Sequence, residues 1–189
     1  MSKRRKRRFP LLPYRLVTQN WRGPALLLVP AGVALYWIAS RTEQLNQTYA
    51  PLAFTVSLVG VLLYAYTLLA RRAHISLEYN RFVVHTPFLP VAFSYRRVGV
   101  VRTVEFATLF PPDEMKPAQW RTYQGLMGRT VPVIPLEGYP LPYGWLRLWF
   151  HSFLFHPKET ALVVPVDDWM GFIRNLETLR TIWRDERRQ

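Results

Sequence analysis

Two long apolar stretches lie close together near the start of this chain and limit what it can fold into. They cover residues 24–40 and 50–70, and the second runs for 21 residues without an ionisable side chain. About 20 helical residues are needed to cross a hydrocarbon layer ~30 Å thick. The first stretch has 17 residues, with Trp21 just before it and Trp37 near its end, aromatic residues of the type that favours membrane interfaces. The sequence therefore predicts an integral membrane protein with a transmembrane helical hairpin over residues 24–72.

The charged residues beside these stretches predict an orientation. Eight basic residues and no acidic one precede residue 24, and Arg71 and Arg72 follow the second stretch. The loop at 41–49 carries one residue of each sign. Lys and Arg beside membrane spans are retained on the cytoplasmic side. We therefore expect residues 1–23 to form a basic cytoplasmic arm, both termini to be cytoplasmic, and residues 73–189 to form a cytoplasmic domain.

The net charge of +13 is unevenly distributed along the chain. Residues 1–72 hold 11 basic side chains and one acidic one, so +10 of the charge lies beside the apolar stretches. A nucleic-acid-binding domain would concentrate that charge on its folded part. Near anionic headgroups each Lys or Arg gains ~1 kcal/mol. The expected partner is thus a bilayer with anionic headgroups and not a nucleic acid, although a mitochondrial presequence would also be rich in Arg and free of acids.

The residue types that catalysis needs are sparse. The chain has no cysteine, which excludes disulfides, thiol nucleophiles and iron–sulfur ligation. His151 and His156 are the nearest approach to a metal-binding pair, but on a strand a spacing of five directs side chains to opposite faces. The sequence contains neither a phosphate-binding loop nor a nucleophile elbow. We predict no catalytic residue, no cofactor and no metal ion, and hence a protein that is not an enzyme.

After residue 72 the pattern changes from strands to one helix. Apolar residues recur at helical spacing between Trp169 and Trp183, and Asp167 or Asp168 can cap the amino end of that helix. A tight turn is expected at Tyr79 and Asn80, between the first two strands. Strands are predicted at 75–79, 81–85, 92–95, 99–109, 130–136, 145–150 and 161–166. Together these elements predict a small β-barrel of about seven strands closed by a carboxy-terminal amphipathic helix.

The segment from Ile75 to His85 resembles the opening strand, turn and second strand of the bacterial PH-like domains, a family often tethered to one or two transmembrane helices. Residues 96–104 stand where that family usually has a further strand, and 161–183 resemble its last strand and closing helix. The resemblance covers roughly 73–106 and 145–185. It implies an α+β membrane protein in which a two-helix anchor precedes a PH-like barrel on the cytoplasmic face of a bacterial plasma membrane.

Two features depart from this family. Residues 110–144 are longer than a PH-like barrel needs and are predicted to form an insertion. Phosphoinositide-binding members of the wider superfamily cluster Lys and Arg around the first hairpin turn, whereas this chain has only Arg81 beside Glu78 there. Recognition of inositide headgroups is therefore not carried over to this sequence.

An aromatic segment at 138–155 offers the most specific hypothesis about a surface. It is either a core strand of the barrel or a loop that faces the membrane, since Trp and Tyr settle at the level of the headgroups. Both hold if the strand is buried and Trp145 or Phe153 is exposed at one end. The residues predicted to contact the membrane surface are Arg4, Arg5, Arg7, Arg8, Arg71, Arg72, Trp145 and Phe153.

The function that these features favour is a membrane-anchored binding or scaffolding module. An accessory structural subunit of a larger membrane complex is the alternative, and a membrane-bound enzyme with a site not visible in the sequence is a third. The small residues Ala53, Ser57 and Gly60 share one helical face and could meet Gly32. Such faces let helices approach closely in lipid, so they predict a contact within the hairpin or self-association of two copies.

Overall fold

The computed structural model of this chain describes residues 7–41 and 43–187, without the side chains of residue 39 and of residues 43–50. The chain divides into two compact units. One is the helical unit, Leu16–Arg71, and the other combines the residues up to Arg15 with those from Arg72 onward. Although both are compact, we keep the name compact unit for the second, which contains the sheets. It is therefore built from segments on both sides of the helical unit.

Two long helices, α1 (Leu12–Ser40) and α2 (Glu43–Ala70), supply the helical unit. The stretches Leu12–Ile38 and Pro51–Ala70 are long and apolar enough to cross a membrane by length and composition. Only 11% and 17% of their most apolar windows are buried, whereas the core helix of a globular protein would be mostly covered. The prediction of two apolar helices is thus confirmed, and both begin earlier in the chain than predicted.

Small residues bring α1 and α2 together, as the sequence predicted. A Cβ atom added at Gly32 would collide with the hydroxyl of Ser57 and lie 2.9 Å from the carbonyl oxygen of Ala53. One added at Gly60 would lie 2.9 Å from Cβ of Leu28. The two backbones are therefore close enough that only glycine fits at these positions, which is how small residues drive helix pairing in lipid.

Substitution of Gly32 tests this contact. We expect Gly32→Leu to lower the free energy of unfolding of the full-length protein in detergent by about 1–3 kcal/mol, because an overpacked contact has to be relieved by moving the helices. Gly23→Leu is the matched control, since no atom lies within 4 Å of the added Cβ there. Thermal and denaturant unfolding would measure both. Equal losses for the two variants would contradict close packing at Gly32.

The compact unit contains two antiparallel sheets. The first has four strands in the order β1 (Arg8–Pro10), β2 (His74–Leu77), β3 (Arg81–His85) and β4 (Pro90–Ser94). The second has three strands in the order β5 (Arg102–Glu105), β6 (Thr130–Pro135) and β7 (Ala161–Val163). The helices of this unit are α3 (Phe106–Leu109), α4 (Pro117–Tyr123), α5 (Tyr143–Trp149) and α6 (Trp169–Glu186). Short 3-10 turns lie at Tyr95–Arg97, Pro112–Glu114, Gln124–Leu126 and Ser152–Leu154.

Strand β1 is a feature of the fold that the sequence did not predict. It precedes α1 in the chain yet pairs with β2, which follows α2, in the register Arg8↔Ser76 and Pro10↔His74. Phe9 is only 6% exposed. Within the segment predicted to be a basic cytoplasmic arm, residues 8–10 thus complete the sheet, and the residues from Leu12 onward begin α1. Burial of Phe9 explains why this short basic segment is ordered as a strand.

The two sheets approach each other at two isolated bridges, Val98↔Leu136 and Leu11↔Val166. The described residues do not form a closed barrel. Helix α6 packs against β2 of one sheet and β6 of the other. The core between these layers contains side chains that are fully buried, namely Ile75, Phe82, Phe93, Val133, Leu162, Phe172 and Leu176.

Helix α6 confirms the predicted closing helix and extends it slightly. Its amino end is capped by Asp168, whose carboxylate accepts a hydrogen bond from the Gly171 N–H at 2.8 Å. Phe172 and Leu176 are buried on the face that the apolar spacing predicted. The cap and the spacing are both local properties of the sequence, which is why this element could be predicted.

Two predicted strands are wrong in whole or in part. Residues 145–149 belong to helix α5 instead of a strand, and of the predicted strand 99–109 only Arg102–Glu105 is a strand, after which α3 begins. Leu146 in α5 and Phe150 directly after it are buried, while Leu148 is exposed. Burial at a spacing of four is helical, so the packing of one helical face prevails over the strand preference of aromatic residues.

Candidate functional site

The register of the first sheet shows where the chain leaves for the helical unit. Pro10 at the end of β1 pairs with His74 at the start of β2, His74 pairs with His85, and His85 pairs with Pro90. These four residues therefore lie in a row across one end of the sheet, which we call the tether end. The opposite end, where Arg81 pairs with Ser94, is called the distal end.

Large apolar side chains gather at the tether end, where three are exposed and Trp149 is half-buried. The turn between β3 and β4 carries Phe88, which is 53% exposed, and its ring centroid lies 5.6 Å from that of Trp149 in α5. Trp149 in turn lies 5.8 Å from Trp145. Leu148, on the same helix, is 77% exposed. We call Phe88, Trp145, Leu148 and Trp149 the aromatic face.

The basic residues predicted to contact a membrane are spread over the molecule. Arg71 and Arg72 are exposed where the chain returns from α2. Arg7 and Arg8 are also exposed, but the carbonyl of Arg7 accepts a hydrogen bond from the Leu77 N–H, so β1 carries these two residues away from the tether end. Arg4 and Arg5 lie outside the described residues.

The two aromatic residues of the predicted membrane-contact surface differ in exposure. Trp145 is exposed on α5. Phe153 is only 6% exposed, and its ring centroid lies 4.8 Å from that of Phe110 and 4.7 Å from that of Tyr123. The prediction that Phe153 contacts a membrane is therefore wrong, because neighbouring rings enclose it.

Sequence reasoning missed Phe88 and Leu148. Phe88 stands in a turn between Pro87 and Pro90, where a large apolar residue gains no burial within the sheet. A large apolar residue between two prolines was therefore the sequence signal that could have identified Phe88 as exposed. Leu148 could not be identified as exposed while its segment was assigned to a strand.

His151 occupies an aromatic pocket beneath this region. Its Nδ1 accepts a hydrogen bond from the Phe153 N–H at 3.3 Å, so the ring proton lies on Nε2, which is 2.6 Å from the hydroxyl of Tyr123. The backbone N–H of His151 donates to the hydroxyl of Tyr14 at 2.9 Å. Burial lowers the pKa of His151 to about 4, so the ring is neutral at neutral pH.

The second histidine of the pair considered above is engaged elsewhere. Nδ1 of His156 accepts hydrogen bonds from the backbone N–H groups of Lys158 and Glu159, at 3.2 and 3.1 Å. Within residues 7–41 and 43–187, no group of three or more His, Cys, Asp or Glu side chains is placed to hold a metal ion. His151 and His156 each cap a local turn, which is a structural role.

Comparison of the chain with protein-family models, with curated proteins and with solved structures found no match. No relative therefore supplies a ligand or a reaction for either unit. Function is inferred from three features of the molecule itself, which are the two apolar helices, the strand pairing across them and the aromatic face at the tether end.

Proposed function

We propose that this chain is a membrane-anchored binding or scaffolding module whose compact unit docks on the bilayer surface through the aromatic face. The observation that carries the proposal is the pairing of β1 with β2 across the two helices. Strands that exchange backbone hydrogen bonds lie on the same side of any bilayer that the intervening helices cross. If both helices cross the membrane, the chain returns to the side on which it started and β1 can pair with β2. If only one helix crossed, the two strands would lie on opposite sides.

The surface of the helical unit supports a lipid environment. Leu27, Phe54 and Leu62 are each at least 60% exposed. Covering a large apolar side chain is worth about 1.5–3 kcal/mol compared with leaving it in water. Many such side chains point outward from α1 and α2, and acyl chains would cover all of them at once. The hairpin is therefore far more stable in a bilayer than in water.

The charge pattern favours a cytoplasmic location for both flanks of the hairpin. Reporter fusions at the two termini should therefore both report cytoplasm, while a reporter in the loop at 41–49 should report the opposite side. A carboxy terminus on the outer side would contradict the proposal. By resemblance of its sequence to the PH-like family, the membrane is the plasma membrane of a bacterium.

The compact unit is proposed to be a PH-like barrel used for binding and not for catalysis. Seven strands in two antiparallel sheets, followed by a helix that packs on both, are compatible with that fold. The strand set differs from the one expected from sequence, because β1 comes from before the hairpin and the segment at 145–150 is helical. The hairpin is thus inserted between the first and second strands of the sheet.

The aromatic face has the composition of a membrane-docking surface. Trp side chains settle at the headgroup level, where one part of the ring meets acyl chains and the other meets water. Arg72 and Arg147 are exposed and supply positive charge, one beside the tether end and one on α5. Each is worth ~1 kcal/mol near anionic lipid. The tether end is where the chain leaves for the helices, and for that reason we propose that this face contacts the headgroups.

Fluorescent labelling tests this docking in the full-length protein. The chain has no cysteine, so a single Cys introduced at residue 148 can carry an environment-sensitive dye without background labelling. After reconstitution into liposomes, dye on Leu148→Cys should be quenched by lipids that carry a spin label, because residue 148 reaches the acyl boundary.

Val100→Cys is the matched control for this measurement. Val100 is apolar and 81% exposed, but it follows Ser94 and the distal end of the first sheet. Dye at this position should not be quenched. Equal and weak quenching at both positions would show that the aromatic face does not enter the bilayer.

A shallow groove along α1 favours the alternative, an accessory subunit of a membrane complex. It has a volume of about 640 Å³ and is lined by Val29, Pro30, Val33, Ala34 and Trp37. A helix of another membrane protein fits such a groove as well as acyl chains do. Under this alternative the chain purified alone would be unstable, and mild detergent would retain one partner in fixed ratio.

A further inference from the structure

A polar cleft opens in the compact unit near the distal end of the first sheet. It has a volume of about 610 Å³ and lies between the end of β4, the turn after β6 and the end of α6. Arg96, Arg97 and Arg187 line it together with Glu137 and Tyr139. Small-molecule sites typically enclose about 300–1,000 Å³, so the cleft has the size of a ligand site.

The charges in this cleft are unbalanced. Elsewhere in the compact unit arginines pair with carboxylates, as Arg15 and Arg129 do with Asp167 at 3.0 and 2.8 Å. Among the described residues, no carboxylate lies within 4.0 Å of the guanidinium groups of Arg96, Arg97 or Arg187. Three guanidinium groups line one cleft, and an anion bound there would reduce the repulsion between them.

The walls of the cleft are fixed by the backbone. The Glu137 N–H donates to the carbonyl of Arg97 at 2.9 Å, and the Gly99 N–H donates to the carbonyl of Pro135 at 2.8 Å. Gly138 has φ +112°, a conformation that other residues rarely adopt, and it turns the chain after β6. The side chains are therefore presented from a rigid frame, which limits the entropy lost on binding.

Individual side chains are held as well. The guanidinium group of Arg187 lies over the ring of Trp183, 4.8 Å from its centroid. The hydroxyl of Tyr139 donates to the carbonyl of Ala161 at 3.4 Å, and burial raises the pKa of this tyrosine. Tyr139 is thus a neutral phenol that adds no negative charge to the cleft. The site is built to attract an anion.

Two features place the cleft far from the tether end. Ser94, next to Arg96, pairs with Arg81 at the distal end of the first sheet. Helix α6 gives an independent measure of this distance. It starts just after Asp167, which forms an ion pair with Arg15 at the start of α1, and it ends beside Arg187. A helix of 18 residues spans about 27 Å at 1.5 Å per residue. The cleft therefore lies at the opposite end of the compact unit from the point where the chain leaves for the helices.

We propose that this cleft binds a small soluble phosphorylated molecule. The three arginines hold its phosphate group, because guanidinium groups match phosphate oxygens in geometry and charge. The carboxylate of Glu137 only accepts hydrogen bonds, so the ligand also carries a hydroxyl or amino group that donates to it. That the ligand is soluble depends on the proposed membrane anchorage, whereas phosphate binding itself does not.

Calorimetric titration of the full-length protein in a neutral detergent, with ribose 5-phosphate as the probe, tests the site. We expect saturable binding that is weakened at least tenfold in the double variant Arg96→Gln/Arg97→Gln, since a charge-assisted hydrogen bond is worth about 1.5–3 kcal/mol. Arg121→Gln is the matched control, an exposed arginine on α4 outside the cleft, and should bind like the parent. Absence of saturable binding, or an equal loss in the control, would overturn the proposal.

Two further experiments test the role of Glu137 and whether the ligand is a soluble molecule or a lipid headgroup. Glu137→Gln should weaken binding of ribose 5-phosphate and leave binding of inorganic phosphate unchanged or tighter, and the reverse result would overturn the role of Glu137. In nanodiscs, added phosphatidylglycerol should not compete with ribose 5-phosphate. Competition would identify a lipid headgroup as the ligand and overturn the soluble one. Failure of membrane docking in the dye experiment would leave the detergent titration unaffected.

Discussion

Replacing Phe9 by alanine is expected to lower the free energy of unfolding of the compact unit by about 3–5 kcal/mol, the range for buried phenylalanines. Phe9 lies between Arg8 and Pro10 in the most basic part of the chain, yet it is 6% exposed. Its ring centroid lies 5.3 Å from that of Phe172 in α6, in an edge-to-face arrangement. The substitution removes this contact and leaves a cavity between β1 and α6. Denaturant unfolding of the full-length protein in detergent, followed by near-ultraviolet circular dichroism, would measure the loss.

Phe88→Ala provides a control of the same chemistry. Phe88 is 53% exposed on the aromatic face, so its removal should cost less than about 1 kcal/mol. Hydrogen exchange at the amides of β2 adds a local measurement, because β1 protects that edge only while it is paired. If Phe9→Ala were as mild as Phe88→Ala, burial of Phe9 against α6 would be contradicted.

Acidification from pH 6.5 to pH 4 is expected to remove about 3 kcal/mol of stability through His151 alone. Burial holds the pKa of His151 at about 4, below the ordinary value of 6.5. Between these two values the unfolded state binds a proton that the folded state does not bind. Stability therefore rises with pH across this window and is lost as the pH falls through it.

The variant His151→Asn isolates this contribution. Asparagine can still accept the hydrogen bond from the Phe153 N–H, as Nδ1 of His151 does at 3.3 Å, but it does not titrate. Plots of unfolding free energy against pH should be flatter for the variant by about 3 kcal/mol between pH 4 and 6.5. All other ionisable groups are common to both proteins, so their contributions cancel in the difference. Parallel plots would contradict the buried neutral histidine.

The elements that could be predicted from sequence are those whose signals are local. The apolar length of the two helices, the turn at Tyr79 and Asn80, and the cap of α6 by Asp168 all depend on residues close in the chain. Strand β1 could not be predicted, because its partner follows both long helices and a pairing at that distance leaves no local pattern. Helix α5 was missed because aromatic residues favour strands only on average.

The surfaces were harder to predict than the fold. Trp145 and Phe153 are residues of similar chemistry eight positions apart, and only their packing makes one exposed and the other buried. The arginine cleft joins residues from three separate parts of the chain, so no spacing in the sequence reveals it. Its charge was also hidden by the near balance of acidic and basic residues after residue 72.

The pairing of β1 with β2 also fixes an order of events during synthesis of the proposed membrane protein. The ribosome produces β1 first, but its partner emerges only after both apolar helices. Until then Phe9 has no core to enter, and β1 waits unpaired. If one helix failed to insert across the membrane, β1 and β2 would be left on opposite sides and the sheet could never be completed. Completion of the sheet therefore requires that both helices have crossed the membrane.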